Sequence, residues 1–335
     1  MPVEYRIVDQ VPVGRNPIIT LTTDFGVADG YVGTMKGVIL GIVPDARLVD
    51  ISHEITPQNV RQAAYVLYTA YPFFPPGTIH LAVVDPGVGG TRRPIALRTP
   101  KGYFVGPDNG ILSYVMAREP VEALVELADP RYRLPHVSHT FHGRDVFAPA
   151  AAHLAAGVPI AALGPPVADP VTFPPPRLEV GPDIITGEVL HADRFGNVIT
   201  SIGRLEWSEE ELLLGPAFQN AGNREQEAGC RVQDAGGGKI GARGEKWAVR
   251  GEGGLRFRAT EAVVVVAGQE IAGVRHTYAE AAPGEPLALV GSEGHLEIAV
   301  REGSAAHRLG LRPGDQVLVR PGGGRRSATT MTISR

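Results

Sequence analysis

Residues 18–24 read IITLTTD, a short β-branched apolar run that ends on an acid. Such a run predicts a strand buried on both faces with a polar group at its carboxyl end. LVDIS (48–52) and IHLAVVD (79–85) repeat the form. Between them, GYVGTMKGVILGIVP (30–44) and NVRQAAYVLYTAYPFFPPG (59–77) carry apolar residues at helical spacing until prolines stop them. Strand–helix–strand–helix–strand predicts an α/β fold, a mostly parallel sheet flanked by helices. Ligands of such sheets sit beyond the carboxyl ends of the strands, where Asp24, Ser52 and Asp85 fall.

Outward from this core, YFVGPDNGIL (103–112) predicts a further strand and turn, and DVFAPAAAHLAAG (145–157) an alanine-rich helix closed by Gly157. The amino-terminal α/β domain is expected over 1–163. Residues 164–182 hold seven prolines, which remove backbone donors and favour an extended linker. Beyond them GEVLHAD, GNVITSI, AVVVVAG, PLALVG and HLEIAV are short strand-like runs set off by turns. They predict a second domain over 183–320, an antiparallel β-barrel or sandwich. A glycine- and charge-rich stretch, 219–254, is expected to be a loop or irregular hairpin inserted in it, and 321–335 a frayed tail.

The 335 residues are 43% apolar and 20% charged, enough for two domains with a sizeable core in each. A net charge of −4 argues against nucleic-acid binding, which calls for a basic excess. A small-molecule partner is expected instead. The single cysteine, Cys230, rules out an intrachain disulfide or a cysteine-built metal cluster, which fits a reducing cytosol. Neither a signal peptide nor a membrane-spanning run is evident, so a cytoplasmic protein is expected.

Four segments carry polar groups suited to chemistry. VVDPGVGGTRR (83–93) lacks the lysine and hydroxyl of a phosphate loop, and its plain alternative is a hairpin turn with solvated arginines. FHGRDVFAP (141–149) sets a histidine before an Arg–Asp pair at the mouth of a predicted helix, TTDFG (22–26) sets an aspartate at a strand end, and HADRFGNVIT (191–200) offers an acid, an aromatic and an amide. Each has a bland counterpart: a satisfied surface histidine, a helix cap, and a hairpin turn held by Asp193 and Asn197. No histidine pair has metal-ligand spacing on a helix, and no metal site is expected. GSAAHRLGLRPGDQVLV (303–319) predicts a strand and turn.

Together TTDFG, VDISHEITPQNVRQAA (49–64), VVDPGVGGTRR, GPDNGIL, FHGRDVFAP, DRFGN and GSEGHLEIAV (291–300) resemble the S-adenosyl-methionine hydroxide adenosyltransferase family, relatives of the fluorinase and chlorinase. The resemblance runs in order from about residue 18 to 319, departing at 219–254 and in the tail. It implies a carboxyl-terminal β-barrel, and homotrimers whose active sites lie between one subunit's first domain and its neighbour's second. It also implies the reaction: hydroxide or water attacks C5′ of S-adenosyl-methionine, leaving adenosine and L-methionine, with no cofactor. By motif, the acid–arginine–histidine trio becomes Asp85, Arg92 and His142. Asp24 becomes the acceptor for the ribose hydroxyls, Asn197 and Phe195 the partners of adenine, Asp193 that of the methionine ammonium, and Ser292 that of its carboxylate. Glu293 stands where fluorinases carry an arginine, a substitution that puts a like charge beside that carboxylate.

The chemistry suits these residue types. Displacement at carbon needs a lone pair aligned behind the breaking C–S bond, and acceptors such as Asp85 or His142 can hold a water and draw a proton from it. Two rivals remain: a sensor that binds the same ligand without turnover, and a halogenase. The resemblance implies a tyrosine in place of Asp85 in halide users, and a carboxylate beside the nucleophile's berth repels halide.

Overall fold

In the computed structural model the sheet predicted from 18–24 forms around that strand. The structure describes residues 16–181, 183–215 and 255–322, so the whole of the sequence-predicted insertion 219–254 and the tail from 323 onward lie outside the described residues. The chain divides into two compact units between Pro174 and Pro175.

The first unit holds β1 (Ile18–Thr23), α1 (Tyr31–Ile42), β2 (Arg47–Ser52), α2 (Val60–Ala70), β3 (Thr78–Val83), β4 (Pro94–Thr99), β5 (Gly102–Pro107), α3 (Ser113–Arg118), β6 (Ala123–Glu126) and α4 (Ala148–Ala155). Its sheet runs β2-β1-β3-β5-β4-β6. The pairs β1–β2, β1–β3 and β3–β5 are parallel, and β4 pairs antiparallel with β5 and β6. The central strands β3 and β5 are buried along their whole length, as befits strands covered on both faces, with the polar Thr78 and His80 buried among the apolar residues of β3. Asn59 caps α2, its side chain accepting from the Gln62 amide at 3.0 Å, and Pro72 follows where the helix gives way to a 3-10 turn. β1 leads left to β2 and then the chain crosses right to β3, so a crevice opens between β1 and β3. Their register pairs Thr23 with Val83, which sets Asp24 and Asp85 side by side at the mouth of that crevice.

The proline-rich stretch is tied to this unit rather than running free. Arg93 donates to Asp108 at 2.9 and 2.6 Å and to Asp169 at 2.7 Å, Asp108 also accepts from the Val171 amide at 2.8 Å, and the Phe173 amide donates to Ser113 at 2.8 Å.

The second unit contains β7 (Leu178–Val180), β8 (Ile185–Ala192), β9 (Val198–Gly203), β10 (Leu205–Ser208), β11 (Glu211–Leu214), β12 (Leu255–Arg258), β13 (Val263–Val266), β14 (Gln269–Ala272), β15 (Val274–Arg275), β16 (Pro286–Val290), β17 (His295–Val300), α5 (Ala305–Leu309) and β18 (Gln316–Arg320). The sheet β14-β13-β18-β8-β9-β17-β16-β15, with β7 on β8, curls into a nearly closed barrel-like form. It corrects the antiparallel expectation, because β15 pairs parallel with β16 and the sheet is mixed. The two residues of β15 follow Gly273 and are too short to carry a pattern of their own. Two further differences stand out. Residues 305–309 form a helical turn capped by Ser304 where strand and turn were expected, and β10-β11-β12 make a separate sheet in which Leu214 pairs with Leu255. Among the described residues no helix is long and apolar enough to cross a membrane.

Phe104 on β5 is fully buried, stacked on His80 at 4.9 Å and edge-on to Tyr71 at 5.3 Å. Phe104→Ala is expected to cost about 3–5 kcal/mol, read as a lower midpoint of urea unfolding with an unchanged slope.

Candidate active site

Asp85 lies two residues past β3, Arg92 closes the glycine turn before β4, and His142 precedes a single π-helical turn, Gly143–Phe147, that runs into α4. The structure brings these three together. Arg92 Nε donates to both carboxylate oxygens of Asp85 at 2.9 Å, and its Nη2 bonds both Asp85 Oδ2 and, at 2.7 Å, His142 Nδ1. The Asp85 and Arg92 side chains are 5% and 10% exposed, and the guanidinium carbon lies 5.2 Å from the Phe147 ring centroid. The pair is not simply solvated: Arg92 turns inward to the carboxylate and imidazole, and Arg93, partly exposed, pairs with Asp108 and Asp169.

An arginine only donates, so His142 Nδ1 accepts and the proton of the neutral ring sits on Nε2. Burial, and then the charge of Arg92, push the His142 pKa below its ordinary value, which keeps the ring neutral near pH 7.

Two devices hold the histidine loop against the glycine turn. Gly89 has φ +76°, and a Cβ there would lie 2.4 Å from the His139 carbonyl oxygen, so this glycine admits the neighbouring backbone. Asp145, fully buried, accepts from Arg144 at 2.5 Å and from the Ser138 amide at 2.8 Å. Burial pushes its carboxyl up, but these bonds outweigh it and the pKa falls below the usual range.

Asp24 and Asp85 share a cleft of roughly 430 Å3 with Phe25, Tyr31, Gln58 and Val88. Asp24 Oδ2 accepts from the Gln58 amide at 2.8 Å, and Gln58 is held at φ 66°, a conformation rare for a residue with a side chain. Phe25, Tyr31 and Phe141 form a ring cluster with centroids 5.1 to 5.9 Å apart. Tyr31 and Gln58 escaped sequence reasoning. Gln58 lies within the quoted segment 49–64 and Tyr31 a few residues past TTDFG, yet a helix-start tyrosine and a loop glutamine carry no signal of their own.

In the second unit a pocket of roughly 800 Å3 is lined by Asp193, Phe195, Asn197, Tyr278 and the Val300–Ser304 turn. Asp193 accepts from the amides of Phe195 and Asn197 at 2.9 and 2.8 Å and from Asn197 Nδ2 at 3.0 Å, the side-chain-held turn that was the bland alternative. That turn also walls the pocket. Phe195 is 76% exposed and Asn197 is buried. Gly196, at φ +82°, gives close passage to Ser304, whose Oγ would lie 2.0 Å from a Cβ there. Ser292 is exposed in the turn before β17 and is not among the residues lining this pocket. Tyr278, which sequence reasoning missed, donates its hydroxyl to the buried Glu297; burial first, and then that bond, push the phenol pKa up. Among the described residues no group of three or more His, Cys, Asp or Glu side chains is placed to hold a metal.

Residues 19–164 match the family model of the SAM hydroxide adenosyltransferase N-terminal domain, and residues 248–318 that of its C-terminal domain. A Salinispora tropica protein named (R)-S-adenosyl-L-methionine hydrolase is 38% identical over 310 residues, 91% of this chain and 98% of its own. The chain belongs to the SAM hydroxide adenosyltransferase family. A Nocardia brasiliensis fluorinase is more distant, 32% identical over 58% of this chain and 73% of its own. The crystal structure of an uncharacterized conserved protein from Thermotoga maritima superposes with a TM-score of 0.70 at 32% identity, covering 90% of this chain and 99% of that one. Within this family frame the buried carboxylate–guanidinium–imidazole group is the feature best suited to reaction chemistry.

The ring of His142 should titrate below 6.5 by NMR. Arg92→Met, which removes a neighbouring positive charge, should move that midpoint upward; an unchanged or lower midpoint would contradict the assigned contact.

Proposed function

We propose that this protein hydrolyses S-adenosyl-L-methionine to adenosine and L-methionine. The observation that carries the reading is the bridge of Arg92 between Asp85 and His142 at the mouth of the β1–β3 crevice. A water held there attacks C5′ in line with the C–S bond. The bonding pair leaves with sulfur, which passes from sulfonium to neutral thioether, and the water gives up a proton. Because His142 Nδ1 is taken by Arg92 and Nε2 carries hydrogen, the imidazole is a donor, and the proton passes to Asp85. Arg92 steadies the developing hydroxide. The leaving group is already good, so alignment in a poorly solvated site supplies most of the rate, and no cofactor is invoked.

Asp24 would take the ribose 2′ and 3′ hydroxyls, since its cleft is shared with Asp85. The second unit's pocket offers Asn197 and Phe195 to adenine and Asp193 to the methionine ammonium. Ser292 would bond the methionine carboxylate. We further propose a cytoplasmic homotrimer in which one subunit's cleft is completed by its neighbour's pocket, and a small-molecule substrate as its partner, with neither nucleic acid nor membrane. Halide transfer is disfavoured by the Asp85 carboxylate, which repels an anionic nucleophile in a dry site.

Two measurements test this. Turnover in oxygen-18 water should place the label in the 5′ hydroxyl of adenosine, whereas bound but unchanged substrate would favour a sensor. Asp85→Asn should lower kcat by about 100- to 10,000-fold while KM changes little, because proton acceptance is used only in the transition state.

A further inference from the structure

Beside the cleft, but outside the trio, lies a buried histidine that the reaction does not use. His53 sits just past β2, 5% exposed, and contacts the loop carrying Asp24 in two ways. Its carbonyl accepts from the Gly26 amide at 2.8 Å, and its Nδ1 lies 2.9 Å from Thr23 Oγ1. Thr23, fully buried, in turn accepts from the Phe25 amide at 3.3 Å. A hydroxyl has one proton and two lone pairs, so Thr23 Oγ1 serves the Phe25 amide and the His53 Nδ1 contact at once. On the ring's far side Nε2 lies 3.0 Å from Asp50 Oδ1, and Asp50 is held by Lys36 at 2.6 Å. The chain of contacts thus runs from α1 through β2 to both residues that flank Asp24. The same loop that starts at His53 ends at Gln58, whose amide donates to the Asp24 carboxylate.

We propose that His53 and Thr23 are positioning residues that fix the Asp24 carboxylate for a ribose diol. The inference rests on the reading of Asp24 above. Without the Thr23 hydroxyl, the Phe25 amide loses its acceptor and the His53 ring its contact beside Asp24, while Asp85, held by Arg92, is untouched. Two hydrogen bonds to a vicinal diol demand that angle, and a single bond does not.

The test uses the full chain and measures binding of adenosine and 2′-deoxyadenosine by calorimetry, with unfolding followed in parallel. Wild type should prefer adenosine by roughly tenfold, the worth of one well-placed hydrogen bond to a charged group. Thr23→Val, close in shape but lacking the hydroxyl, should reduce that preference to about twofold, and His53→Gln should act likewise. Thr23→Ser, which restores the hydroxyl, should recover most of the preference. Equal weakening of both nucleosides in Thr23→Val, or no recovery in Thr23→Ser, overturns the proposal and leaves the contact a support for the sheet. If Asp24→Asn abolishes the preference while Thr23→Val keeps it, the positioning proposal alone fails. If wild type shows no preference, the reading of Asp24 fails and takes the proposal with it. Failure of hydrolysis is seen separately, as absence of adenosine formed from S-adenosyl-methionine.

Discussion

One guanidinium joins two segments 50 residues apart in the chain. Arg92 spends its donors on a buried carboxylate and on an imidazole, and neither of those groups would be well accommodated without it. A buried aspartate lacking a cation would carry a heavy desolvation penalty, and the same holds for an arginine without an acceptor. The geometry around the pair follows from that need. Gly89 lets the His139 carbonyl come close enough to carry the histidine loop over the turn, and Asp145 ties the loop from within. Since Asp85 is oriented by a bidentate partner, its free lone pairs point where the turn directs them.

The sheet supplies the second constraint. Parallel strands align their carboxyl ends, so β1 and β3 deliver Asp24 and Asp85 to one place without any direct bond between them. Two carboxylates beside one cleft are the arrangement on which the proposed reading of substrate and water rests. The barrel-like unit brings different means to its pocket: a turn closed by its own aspartate, an exposed phenylalanine and a buried amide. The turn is closed by hydrogen bonds that the Phe195 and Asn197 amides and the Asn197 side chain donate to Asp193.

Much of this was legible in the chain. The apolar runs ending in Asp24 and Asp85, the helical spacing between them, and the prolines that stop it are local signals, and the first unit's architecture follows. The trio was legible only as motifs whose bland alternatives stood beside them. Asp193 illustrates the difficulty: it closes the turn as a plain cap would, and at the same time walls the pocket. The mixed pairing of β15 and the tethering of the proline-rich stretch by Arg93 were not visible, because each depends on partners distant in sequence; the helical turn at 305–309 is local, and its signals, the Ser304 cap and Gly310 in the left-handed region, were passed over.

Hydrophobic period, proline placement and the residue types at strand ends determined by themselves that the first unit would be an α/β sheet with acids at its carboxyl edge. These are properties of neighbouring residues, and secondary structure answers to neighbours. The resemblance already singles out Arg92 of the adjacent pair, but which nitrogen of His142 is taken and which loops Gly89 and His53 join were decided only by tertiary structure. Hydrogen bonds and ion pairs are directional and short, so their partners are chosen by where folding carries each side chain and not by its position along the chain.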